Sequence, residues 1–212
     1  MELIIITQNE LFKLIYNYYP QNCEFDSQSY RNSVEHLRLN KIVKDKNMRY
    51  QVSIKSYDCL KRVFSNYHIT KLNNDYYPGV SYSVLLHKNQ PILDDDEDLL
   101  FALNGKRFDL DVYVSLLSKC YYICVVETLK IKDCLKFSVI DDTRFFIEEI
   151  NKLDQSFSSL NFIKLDSDII CHIVPNVETE LLDIGNVRIF NCLFTDLIQD
   201  LFYYPQKREV QI

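Results

Sequence analysis

Five apolar residues separated by single residues, Phe108, Leu110, Val112, Val114 and Leu116, alternate without a break. Only an extended chain puts successive side chains on opposite faces, so the run reads as a strand with one apolar face. Val80, Tyr82, Val84 and Leu86 repeat the pattern. Past a turn at Ser118-Lys119, Cys120–Glu127 is apolar nearly throughout, as in a strand buried on both faces, and Leu135–Ile140 adds a neighbour. Ile169–Val174 and Val187–Phe194 read as two further strands. Strands in succession with helices grouped elsewhere predict an α+β fold, a helical N-terminal part followed by a mainly antiparallel sheet with flanking helices.

The helical signals sit mostly before residue 80. A short strand at Leu3–Ile6 leads into Thr7-Gln8-Asn9-Glu10, which fits a capping box, and Leu11, Leu14, Ile15 and Tyr18 follow on one face. A second helix is predicted from Ser27 to Leu39 with Tyr30, Val34 and Leu37 inward. Met48, Tyr50, Val52 and Ile54 alternate with polar residues and predict a strand, and Leu60, Val63, Phe64 and Tyr67 predict a third helix. Asp142–Leu153 carries Phe146, Ile150 and Leu153 at helical spacing, and Thr195 caps a closing helix with Leu197, Ile198, Leu201 and Phe202. Turn formers at 72–79 mark a boundary between a helical subdomain, 1–75, with one or two short strands, and a sheet subdomain, 76–212; a single continuous domain is the other reading. A chain of 212 residues can bury about 70% of its unfolded surface without disulfides or metals.

Composition narrows the chemistry. Only three glycines are present, too few for most phosphate-cradling loops. There is no Walker loop, dinucleotide fingerprint, kinase signature, G-x-S-x-G elbow or zinc-deaminase motif. His36, His68, His87 and His172 share no metal-ligand spacing, and His172 between Ile170 and Val174 reads as a sheet histidine. Cys23, Cys59, Cys120, Cys124, Cys134, Cys171 and Cys192 are scattered through apolar segments, the pattern of reduced, buried thiols; Cys120 and Cys124 lack the second pair that zinc needs. No cofactor or metal is expected.

The strongest local signal is Asp94-Asp95-Asp96-Glu97-Asp98. Leu99 and Gly105 stand where an EF-hand needs Gly and Glu. A helix N-terminus accounts for one or two of the acids, with Leu99, Leu100 and Leu103 inward, Gly105 as the C′ residue and Lys106-Arg107 at the negative end of the dipole. The remaining acids are expected to face a partner. Asp109 and Asp111 oppose Leu110 and Val112 on their strand, which predicts that they are solvated and available to the same partner.

Charge is segregated along the chain. Residues 1–90 hold 12 Lys+Arg against 8 Asp+Glu, net +4, while residues 91–212 hold 12 against 22, net −10. An acidic half steers a basic partner. Within residues 31–62 there are nine Lys+Arg and three acids, net +6. Helix, helix and strand over 27–62 suggest a winged helix that binds nucleic acid through Arg31, Arg38, Lys41, Lys44, Lys46 and Arg49, which makes a DNA-binding regulator one alternative function. An enzyme with no recognisable motif is another.

Leu85-Leu86-His87-Lys88-Asn89-Gln90-Pro91-Ile92-Leu93-Asp94-Asp95-Asp96, Phe108–Val114, Tyr121-Tyr122-Ile123 and Glu127-Thr128, with Val174–Glu180 and Phe190–Asp196, resemble segments of small bacterial immunity proteins encoded beside polymorphic or contact-dependent toxins. The resemblance spans the second half of the chain. It implies a non-catalytic inhibitor of a cognate protein toxin, and no family site residues map onto this sequence. Fifteen tyrosines suit such a role, since Tyr is favoured at interfaces. The longest strictly apolar stretch, Tyr121–Val126, is far short of the roughly 18 residues of a membrane span, and the start lacks the features of a secretory signal. A cytoplasmic protein that does not enter membranes is the expectation.

Overall fold

The computed structural model describes residues 6–72, 75–88, 96–132, 134–140, 143–197 and 208–211. The predicted strand at Leu3–Ile6 and most of the predicted closing helix lie outside the described residues. Helix α1 (Gln8–Ile15) begins with the capping box: Thr7 N donates to Glu10 Oε2 at 2.7 Å and Glu10 N donates to Thr7 Oγ1 at 3.3 Å. Leu11 and Ile15 are fully buried one turn apart.

The helix expected over 27–39 is two helices, α2 (Gln28–Asn32) and α3 (Val34–Val43). Ser33 breaks it. Its extended backbone ends α2, its Oγ donates to Tyr30 O at 2.8 Å and accepts from His36 N at 3.1 Å, so one residue caps both helices. The apolar phase shifts across the break: Tyr30 is buried, whereas Val34 and Leu37 are each 57% exposed.

The strand expected at Met48–Ile54 is instead the first half of helix α4 (Lys46–Val63), which also absorbs the predicted third helix. Asp45 caps it through a 2.9 Å bond from Met48 N to Asp45 Oδ1. Its inward face carries Arg49, Ser56, Cys59 and Leu60, a helical spacing that the alternation of Met48, Tyr50, Val52 and Ile54 conceals because the first inward residue is an arginine.

The sheet then forms from β1 (His68–Leu72), β2 (Gly79–Leu85), β3 (Lys106–Ser115), β4 (Cys120–Ile131) and β5 (Cys134–Ile140), with α5 (Asp96–Ala102) between β2 and β3. A 3-10 turn (Arg144–Phe146) and α6 (Ile147–Ser159) replace the helix expected at 142–153, followed by β6 (Ile163–Lys164), α7 (Ser167–Ile170), α8 (Ile189–Leu193) and β7 (Arg208–Gln211). The order is β1-β2-β3-β4-β5-β7, antiparallel throughout, while β6 pairs in parallel with β4. The chain is α+β, as the alternation requires. The turn formers at 72–79 lie between β1 and β2, which pair from His68↔Leu85 to Leu72↔Ser81.

Both faces of the sheet are covered. On one, Val80, Tyr82, Val84, Leu110, Val112, Val114, Tyr121, Ile123 and Val125 pack against Cys59, Leu60 and Phe64, from α4 and its end, and Ile150, Leu153 and Phe157 of α6. On the other, Tyr113, Cys120, Tyr122, Cys124 and Val126 meet α1, α8 and the segment between β6 and residue 194. The strands expected at Ile169–Val174 and Val187–Phe194 belong to this covering layer. The first is α7 and a turn, the second is mostly α8, and an isolated bridge, Ile173↔Arg188, is their ladder contact. Short apolar runs fit a buried helix as well as a strand, which is why periodicity misassigned them.

Candidate partner-binding site

Among the described residues the predicted acidic surface is divided by its surroundings. Asp94 and Asp95 lie outside them, and Asp96 opens α5. Glu97 receives a 3.0 Å ion pair from Lys130, and Asp98 is exposed. Leu99, Leu100 and Leu103 are buried as expected. The helix ends in a Schellman motif in which Asn104 (φ 58°) takes the C′ place and Gly105, also left-handed (φ 79°), follows it: Asn104 N donates to Phe101 O at 3.1 Å and Gly105 N to Leu100 O at 2.6 Å. Lys106 and Arg107 start β3, and their charges meet Glu127 at 2.6 Å and Asp109 at 2.7 Å.

Asp109 and Asp111 are therefore not the solvated pair expected. Asp109 is held by Arg107, with its side chain 13% exposed. Asp111 lies on the sheet face that the α1–α8 layer covers. Burial pushes its carboxyl up to about 6, with the Asp109 charge adding to the rise, while hydrogen bonding from Ser83 and Tyr113 and the Arg107 charge oppose it. Tyr113 OH donates to Asp111 Oδ2 at 3.3 Å. Alternation separates the two faces of a strand but does not say that one is wet.

The basic residues also divide. Arg49 is buried and donates to Gly79 O at 2.8 Å and Tyr77 O at 2.6 Å, so it is withdrawn from any ligand surface. Arg31 pairs with Asp26. Arg38, Lys41, Lys44 and Lys46 are exposed. The strand that the winged-helix reading needs is helix α4, which removes that reading's structural basis.

All seven cysteines are unbridged. Burial raises the thiols of Cys59, Cys120, Cys124, Cys171 and Cys192, leaving them protonated and unreactive at neutral pH. His172 is an exposed turn residue rather than a sheet histidine. A cavity of about 210 Å³ opens beside β4 between β5 and β6, lined by Cys124, Thr143, Lys164, Asp166 and Ser167 among others. Lys164 is committed to Asp154 at 2.8 Å, and Asp154 also accepts from Tyr121 OH at 2.9 Å. Among the described residues no group of three or more His, Cys, Asp or Glu is placed to hold a metal ion, and no helix is long and apolar enough to cross a membrane.

The charge signal that sequence reasoning missed is the covering layer itself. Residues 165–197 carry Asp166, Asp168, Glu178, Glu180, Asp183 and Asp196 against Arg188 alone, net −5. Asp166, Asp168, Glu180 and Asp183 are exposed, and Leu181 and Ile184, at 44% and 47% exposure, stand among the last two. Arg188 is turned inward, its Nη1 donating to Cys171 O. Asp196 is buried, its carboxyl pushed up to about 6 mainly by burial, with Glu180 adding repulsion. Comparison of the chain with protein-family models, curated proteins and solved structures returns no match.

Proposed function

We propose that the chain is a non-catalytic immunity protein of the cytoplasm that binds and neutralises a basic cognate bacterial toxin. The observation that carries this reading is the covering layer: exposed carboxylates at Asp166, Asp168, Glu180 and Asp183, with exposed Leu181 between the latter two and exposed Ile184 directly after Asp183. Carboxylates accelerate encounter with a basic surface, and apolar side chains among them supply area that binding can desolvate. Asp98, at the start of α5, adds an exposed charge from the acidic run. Asp109 and Asp111 do not meet the partner directly, since one is ion-paired with Arg107 and the other lies on the sheet face under the α1–α8 layer.

Toxins that attack nucleic acid carry basic clefts, and a carboxylate-rich surface imitates a phosphate backbone. The segments that resemble immunity proteins, Val174–Glu180 and Phe190–Asp196, fall within the same layer. The test is coexpression. The neighbouring reading frame expressed alone arrests growth, coexpression with this chain restores it, and the two products elute as a one-to-one complex. A neighbouring product that is harmless, or toxic to the same degree with this chain present, overturns the reading.

A further inference from the structure

On the opposite side of the sheet from the acidic layer, α4 presents a basic and aromatic face. Tyr50, Ile54, Tyr57 and Lys61 follow at i, i+4, i+7 and i+11, a single exposed stripe about 16 Å long. Tyr50 is 61% exposed and Tyr57 is 37% exposed, with Lys61 Nζ 5.7 Å from the Tyr57 ring centroid. Tyr57 leans on Tyr82 at 6.2 Å between ring centroids, which holds its ring in place.

Beside this stripe are two adjoining grooves. One, of about 370 Å³, is lined by Asp58, Lys61 and Arg62. The other, of about 480 Å³, runs between the C-terminal turns of α4 and α6 and is lined by Arg62, Val63, Lys152, Gln155, Ser156 and Ser159. Arg62 belongs to both. It spends its Nε on Asp58 O at 3.2 Å and one Nη2 contact on Cys59 Sγ at 3.6 Å, which fixes the guanidinium at the rim. Among the described residues no ion pair engages Lys61, Arg62 or Lys152, and Asp58 is the one carboxylate lining either groove. Three cations without an ion pair among the described residues, beside hydroxyl and amide groups, form a lining for phosphate oxygens, and the tyrosines form a platform for bases.

We propose that the α4–α6 face binds single-stranded nucleic acid, with phosphates on Lys61, Arg62 and Lys152 and bases stacked on Tyr50 and Tyr57. Cationic tracks combined with aromatic platforms are how sequence-tolerant single-strand binding is built. The face uses residues other than the ones a winged helix would use, and it is independent of the acidic layer. A chain of net charge −6 has no general affinity for nucleic acid, so binding reports a local surface.

The test is fluorescence anisotropy of a labelled oligothymidylate of about 15 nucleotides with the full chain, from about 50 to about 200 mM salt. The expected result is saturable binding with a log–log salt slope of about −2, matching three phosphate contacts on a single strand. The combined variant Lys61→Gln, Arg62→Gln, Lys152→Gln loses about tenfold or more and flattens the slope. Tyr50→Ala weakens binding about fivefold or more with the slope retained. Lys119→Gln, on the turn between β3 and β4, leaves both unchanged. No binding at the lowest salt overturns the proposal. So does binding indifferent to the triple variant, or equal binding of polyglutamate with no effect of Tyr50→Ala, which would make the face a site for acidic protein.

Discussion

The Arg49 guanidinium lies inside the protein with Nη1 2.8 Å from the Gly79 carbonyl oxygen, linking the first turn of α4 to the first residue of β2. Nη2 reaches Tyr77 O at 2.6 Å, so one side chain closes the chain leading into β2 onto the helix above it. Burial lowers the Arg49 pKa, with Asp75 pulling it back.

Removing this side chain strands two carbonyls in a covered position. Hydrogen bonds to a charged group contribute about 1.5–3 kcal/mol each, so Arg49→Ala is expected to destabilise the fold by about 2–4 kcal/mol. Arg49→Lys recovers only part of that, because an ammonium cannot span both oxygens as the planar fork does. Urea denaturation followed by circular dichroism measures both. An Arg49→Ala variant as stable as the parent would show that the contact is incidental.

Gly79 has a second constraint. A Cβ built there would lie 2.8 Å from Phe194 O and 2.9 Å from Phe194 Cα, so β2 starts where the backbone after α8 passes against it. Gly79→Ala is expected to cost about 1–3 kcal/mol through forced separation of these segments. The same denaturation assay applies, and an unchanged midpoint would mean that the segment after α8 moves aside freely.

Two carboxyls, the buried Asp196 and the half-buried Asp111, set a pH dependence of opposite sign to that of salt-bridged ones. Asp111 and Asp196 are each raised from an ordinary 3.8 to about 6 in the fold, so the folded state binds their protons more tightly than the unfolded state. Each therefore supports stability at low pH and loses that contribution as pH rises from about 4 to about 6, by up to about 3 kcal/mol. Asp111→Asn is expected to flatten the stability profile in that window and to gain most at pH 7. Thermal melts of parent and variant from pH 4 to pH 7 measure the difference. Parallel profiles would contradict the proton-retaining environment of Asp111.

How much of this was readable in the sequence depended on which residue faced inward. β3 was legible because its alternating positions Phe108, Leu110, Val112 and Val114 are all apolar, with Leu116 continuing the pattern just past its end, and α1 because Thr7 and Glu10 satisfy a local geometric rule. Helix α4 was not, since the inward Arg49 broke its 3.6-residue pattern while chance alternation at Met48–Ile54 imitated a strand. The covered position of Asp111 follows from a layer that arrives some 50 residues later in the chain, at Leu165–Phe194, and no local pattern encodes that. The acidic layer was present as counts: six acids to one arginine over 165–197, hidden inside the net −10 of the whole second half.

Steering of a basic toxin by the acidic layer is read out in the association kinetics of the two proteins. The rate constant for binding to the toxic neighbouring product is measured by stopped flow over a range of ionic strength, for the parent and for Asp166→Asn, Asp168→Asn, Glu180→Gln, Asp183→Asn combined. The expected parent rate falls steeply with salt, and the expected variant rate is about tenfold or more slower at low salt and nearly salt-independent, with dissociation changed less. A variant that associates as fast as the parent, with the same salt dependence, would contradict it.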